Sequence, residues 1–207
     1  LMPLCPAQCP TERHIVRAYR QKAAKVFLSI SAQSAFWAHV MKTDPQTAAQ
    51  WSASIPVMED KIRAALVKKG SIGYEPPTER TFPRAEIFIN WALACRALPA
   101  VTWLDGTSAG ESDAFTLMEC LRAKGACALN IIPDRNHNIA DPKVRALKLK
   151  KLDEIIQTAD GMGFPINIGT EMNKDGQPFA DETSAGVLQP YHAIFMRGAR
   201  ILTGHAI

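Results

Sequence analysis

The spacing of apolar positions changes near residue 82. From Thr11 to Leu28 they recur every three to four residues, at Ile15, Val16, Tyr19, Ala23, Val26 and Phe27. That period puts them on one face of a helix, and Thr11 suits its N-cap. A second, shorter helix is expected over Ser34–Met41, around Phe36, Trp37 and Val40. Asp44-Pro45 opens a third, because Asp caps well and Pro fits the first turn. Pro56–Lys69 reads as a fourth, stopped by Gly70. Residues 71–82 are rich in turn formers. Residues 1–80 therefore read as a helical segment without a strand.

Beyond Pro83 the pattern alternates. A helix to about Ala97 carries Ile87, Phe88, Trp91 and Leu93. Short apolar runs follow at Ala100–Leu104, Cys127–Ile132, Pro165–Ile168 and Arg200–Thr203. Helical stretches separate them: Glu111–Lys124, Asp141–Asp160 and Gln189–Gly198. Strand starts roughly 27 to 39 residues apart match the length of strand–helix–strand units. Short apolar strands also suit a sheet covered on both faces. Residues 81–207 are thus expected to be α/β, a partial (β/α) barrel of about four parallel strand–helix units. No strand is followed by a G-x-G-x-x-G turn, so a dinucleotide crevice has no basis.

Composition adds little that is unusual. The chain is 47% hydrophobic and 21% charged, as soluble globular proteins are. No apolar run approaches a membrane span, so no membrane partner is expected. The formal net charge of +4 reads as spread along the chain. Its densest cluster, Lys148, Lys150 and Lys151, is expected on a solvated helix face rather than a nucleic-acid patch. Five cysteines make an odd set, and Cys95, Cys120 and Cys127 lie inside apolar patterns. That suits a reducing cytoplasm better than a disulfide framework. Cys5 and Cys9 form a C-x3-C pair without a second pair, a weak metal signal. Leu1–Leu4 lacks the pattern of a signal peptide. The start at Leu1, in a Pro/Cys-rich loop, reads as the C-terminal part of something longer.

Chemistry is expected at the C-terminal ends of the strands, where parallel α/β architectures build their sites. Those ends carry Asp105, Asp134 with His137, Glu171 with Asn173, and His205. Converging carboxylates and imidazoles suit a divalent-metal or acid–base site. Each has a plainer reading. Asp105 suits a turn, Asp134 can clamp Arg135, His137 sits in a polar loop, and His205 lies near a fraying end. Glu171 follows a buried strand, where a charge needs a partner, a metal or solvent. His14, His39 and His192 lie on helices and read as structural or surface residues. Ser108, in Gly106-Thr-Ser-Ala-Gly110, matches the letters of a nucleophile elbow and offers a serine-esterase alternative.

The order of features from Thr81 to Asn173 resembles the C-terminal half of PHP (polymerase and histidinol phosphatase) domains. Trp103-Leu104-Asp105 stands where that family has a metal-binding Ala-His-Pro. Phe164-Pro-Ile-Asn-Ile-Gly-Thr-Glu-Met-Asn173 matches the shape of its later strand, with Glu171 at the metal-binding Asp and Asn173 near the histidine. The family's His-x-His opening has no counterpart here.

The resemblance implies a metal-dependent, phosphoesterase-like hydrolase on a distorted barrel. Asp105, His137 and Glu171 would hold a divalent metal (zinc, manganese or magnesium), which would activate a water. Asp134 or His205 would act as base, and Arg135 and Asn173 would bind a small anionic substrate. A non-catalytic alternative is a truncated barrel that binds or self-associates, because a half-barrel leaves open edges. A homo-oligomer or a missing N-terminal half would cover them.

Overall fold

The computed structural model describes residues 4, 5, 10–171, 179, 180, 183 and 186–206. Cys9 and Asn173 lie outside them, and with them half of the C-x3-C signal. By its internal contacts the chain divides into two units, Leu1–Thr78 and Glu79–Ile207.

The first unit holds four helices: α1 Glu12–Val26, α2 Ile30–Met41, α3 Pro45–Ser52 and α4 Ile55–Leu66. Local chemistry sets their starts. Ser29 accepts the Ala32 amide at 3.1 Å, which begins α2 earlier than its apolar pattern suggests. Asp44 accepts the Thr47 amide at 2.9 Å, and Pro45 occupies the first turn of α3. Val16, Trp37, Ala48, Met58 and Ile62 form the core. Antiparallel α1 and α4 are laced by ions. Arg13 meets Asp60 at 2.6 Å, Arg20 meets Glu59 at 3.0 Å, and Arg63 pairs with Glu12.

Half of the expected α1 stripe is not core, however. Tyr19 and Val26 are each more than half exposed, whereas Val16 and Ala23 are buried. Nor is the net charge spread along the chain. This unit has ten Lys and Arg against five Asp and Glu, so the whole positive excess resides here.

The second unit begins with α5 Ala85–Ala94 and continues with β1 Ala100–Trp103, α6 Ala114–Ala123, β2 Ala128–Ile131 and a single turn, α7 Asp134–His137. Then come α8 Pro142–Gly161, β3 Ile166–Ile168, a 3-10 turn Gly186–Tyr191 and α9 His192–Ala206. Asp113 caps α6 through the Thr116 amide at 3.0 Å. Asp141 caps α8 through Lys143 and Val144 at 2.8 and 3.1 Å.

The strands form one open parallel sheet in the order β1-β2-β3, with Thr102 opposite Asn130 and Asn130 opposite Asn167. One sheet face is apolar. Trp103, Leu129, Ile131 and Ile166 pack with Met118 of α6 and Leu152, Ile155 and Ile156 of α8. The other face is polar, contrary to the expectation of two covered apolar faces. There Asn167 donates to Asn130 at 2.7 Å and Asn130 to Thr102 at 3.3 Å.

The fourth strand expected at Arg200–Thr203 is absent, and those residues continue α9. The physical reason lies in the spacing. Ile194, Phe195, Gly198 and Leu202 recur at helical intervals and form the covered side of α9. Gly198 does not stop the helix but lets it approach β3. A methyl group there would lie 2.3 Å from the Ile166 carbonyl oxygen. Pro165 and Gly169 bond to β2, so Ile166 turns its own amide and carbonyl to the outer edge. Helix α9 therefore covers the edge on which a fourth strand would have paired.

Candidate active site at the strand ends

The chain leaving β1 turns sharply through Leu104, Asp105 and Gly106. Glu111 gathers their amides at 2.9, 3.4 and 3.3 Å, so this residue serves the loop rather than opening α6. Gly106 has φ +71°, and any side chain on it would strike Lys151. Asp105 accepts the Thr107 amide at 3.0 Å and its hydroxyl at 2.5 Å. Lys148, from α8, reaches the other Asp105 oxygen at 3.0 Å.

The chain leaving β2 enters α7. Asn136 is fully buried there, and its Nδ2 donates to the carbonyls of Leu104 at 3.1 Å and Ile132 at 3.3 Å. One side chain thus ties the ends of β1 and β2 together. Its Oδ1 is buried with no partner among the described residues. Arg135 projects to the end of β3 and grips Glu171 in a fork, Nε to Oε2 at 2.8 Å and Nη2 to Oε1 at 2.7 Å.

Two ion pairs, Lys148–Asp105 and Arg135–Glu171, therefore meet above the sheet. Partial burial pushes the Asp105 carboxyl up, but hydrogen bonds from Thr107 and Lys148 outweigh it and hold the group below its ordinary 3.8. The Glu171 carboxylate raises the Arg135 guanidinium further above its usual range, with a smaller contribution from Asp105.

No family model, curated protein or solved structure matches the chain. The site is therefore read from its own geometry.

Of the residues expected here, Asp105, Arg135 and Glu171 come together. His137 ends α7, half-buried, and Asp134 begins it. His205 is not at a strand end, because its strand does not exist. It sits exposed in the last turn of α9. Asn173 lies outside the described residues. The expected metal set of Asp105, His137 and Glu171 is not assembled, and no three His, Cys, Asp or Glu among the described residues are grouped to hold an ion. As arranged, Asp105 and Glu171 do not fit a metal, because each already carries a cation on its carboxylate. Ser108 lies exposed in the turn before α6, and among the described residues no histidine bonds to it.

Four residues that build these loops carry no clear signal in the sequence. Lys148 was expected on a solvated face, yet its side chain is mostly buried and bound to Asp105. Lys151 likewise bonds to Glu154 at 2.7 Å and to the Ser112 carbonyl at 2.8 Å, which leaves Lys150 alone on the solvated face. Asn136 and Glu111 gave no signal beyond polarity near a strand end.

Proposed function

We propose that the second unit is a hydrolase of small anionic esters, phosphoesters first, acting at the C-terminal ends of β1, β2 and β3. The observation that carries this reading is the Arg135–Glu171 fork, a cation able to bind a phosphate held beside a carboxylate able to take a proton. The choice of phosphoesters follows what the resemblance of Thr81–Asn173 to PHP domains implies, whereas the metal-free route is read from the Arg135–Glu171 fork alone.

A phosphate on Arg135 competes with Glu171 for the same fork of donors. Its binding displaces the Glu171 carboxylate from the Arg135 fork and leaves it beside the bound ester. Water then attacks phosphorus and gives its proton to Glu171, while the ester oxygen leaves and is protonated from solvent. Asp105 stays ionised and fixes Lys148, whose charge adds to the pull on the substrate.

The same reading takes the sheet as a segment of a (β/α) barrel. Its sequential strand order has no reversal, as barrels require, and the Thr102–Asn130–Asn167 row would face the barrel interior. A self-associating unit remains the second reading, because β1 is a terminal strand of the sheet.

The test is hydrolysis of 4-nitrophenyl phosphate and 4-nitrophenyl acetate by the full chain, with chelator and then with magnesium, manganese or zinc. Turnover of the phosphate ester in chelator is expected. Glu171→Gln should lower kcat about 100-fold, the scale of a lost general base. Arg135→Ala should chiefly raise KM, and Ser108→Ala should change nothing. Absence of turnover in every condition contradicts the proposal. Turnover only with added metal makes the carboxylates metal ligands instead, and loss in Ser108→Ala makes Ser108 the nucleophile.

A further inference from the structure

The first unit leaves a groove open between α1 and α2. It is lined by aromatic rings. Phe27 and Phe36 stack with centroids 4.6 Å apart, and Trp37 meets Phe36 edge-on at 4.8 Å. Tyr19, Val26 and Val40 complete a cavity of about 270 Å³. Leu28, in the turn joining the two helices, and Ile30, which opens α2, are largely exposed. Contiguous exposed apolar surface of this kind marks an interaction site.

The groove carries a basic side chain, with a second beside it on the exposed surface of α1. Lys22 lines the groove, and Lys25 follows one turn later on α1. Neither lies within ion-pair distance of a carboxylate among the described residues. Four of the five acids of this unit are engaged elsewhere, and the fifth, Glu75, lies in the chain beyond α4. Glu12, Glu59 and Asp60 bridge α1 to α4, and Asp44 caps α3. The positive surplus of the chain therefore stands uncompensated on the unit that carries the groove.

We propose that this groove binds an acidic amphipathic segment of a partner protein. One apolar or aromatic side chain of the partner enters the cavity, and its carboxylates meet Lys22 and Lys25. The cavity falls below the roughly 300 Å³ at which small-molecule sites begin, and it suits a single anchoring side chain. A concave slot between two helices is also the recognition geometry of a helix in a groove, whereas a flat bilayer surface gains little from a concavity.

The probe is a labelled helical peptide with Leu and Trp on one face and Glu on the other, titrated into the full chain. Saturable binding that weakens with salt is expected, with amide shifts at Tyr19, Val26 and Phe36. Lys22→Glu with Lys25→Glu should weaken it at least about tenfold without changing the melting temperature, because both side chains are on the surface. Tyr19→Ala should weaken it through the cavity alone. A peptide with Lys in place of Glu should not bind. The proposal is overturned by no saturable binding, by binding that the double variant leaves unchanged, or by binding to anionic vesicles with none to the peptide.

Discussion

Arg135 holds Glu171 by two parallel hydrogen bonds of 2.8 and 2.7 Å, and so joins the turn after β2 to the end of β3. Both side chains are partly solvent-exposed, so the pair stabilises the fold only modestly, by about 1 kcal/mol. Arg135→Lys keeps the charge but loses the fork. It should cost about as much stability as Arg135→Ala in urea unfolding of the second unit. A lysine variant with wild-type stability would show that charge alone matters there.

Asn136 is the stronger structural element. Its amide satisfies two strand-end carbonyls inside a buried setting. Asn136→Ala takes this donor from the Leu104 carbonyl, whereas Ile132 keeps the Arg135 amide at 3.2 Å, and should destabilise the second unit by about 2 kcal/mol. Asn136→Asp should be worse, because an ionised carboxylate would face those carbonyls. Chemical denaturation followed by near-ultraviolet circular dichroism reads both.

Gly198 tests the closure of the sheet edge. Gly198→Ala should destabilise and Gly198→Val more so, by about 3 kcal/mol, since the added atoms strike the backbone of Ile166. Gly204, also in α9, has open space around it. Gly204→Ala should therefore be neutral or slightly stabilising. Equal melting temperatures for Gly198→Val and the parent chain would remove α9 from the edge of β3.

Acid should reveal the Asp105–Lys148 pair. The Asp105 carboxyl is depressed in the folded state, so its contribution is fully present above its ordinary 3.8 and is lost as pH falls through the lowered value. Glu86, lowered to about 2 chiefly by its hydrogen bond with Lys124, has the same sign and loses its contribution between 4.5 and about 2. The difference between parent and Asp105→Asn therefore isolates Asp105. The variant should melt lower at pH 6, and the gap should close as pH falls below 3.8. A gap that widens in acid would reverse the assignment.

The first three strands were legible because each is a short apolar run bounded by breakers. The helix starts at Asp44 and Asp141 were legible because a capping aspartate beside proline has local geometry of its own. The false fourth strand shows the limit of local reading. Ile201 and Leu202 resemble a strand in isolation, and only the helical spacing back to Phe195 and Gly198 identifies them. Asp105, Arg135 and Glu171 were legible as polar residues after apolar strands. Their partners were not, because Lys148 comes from a helix more than forty residues beyond Asp105. The fork between Arg135 and Glu171 spans a similar separation, so the local pattern makes each residue a metal or substrate contact rather than part of a pair.

The most direct test of the strand-end site is the side-chain Nε–H resonance of Arg135 during titration with inorganic phosphate. Phosphate should shift that resonance saturably as it displaces Glu171. Glu171→Gln, which removes the competing charge, should tighten binding several-fold. An Arg135 resonance that phosphate leaves unmoved in both proteins would contradict the account.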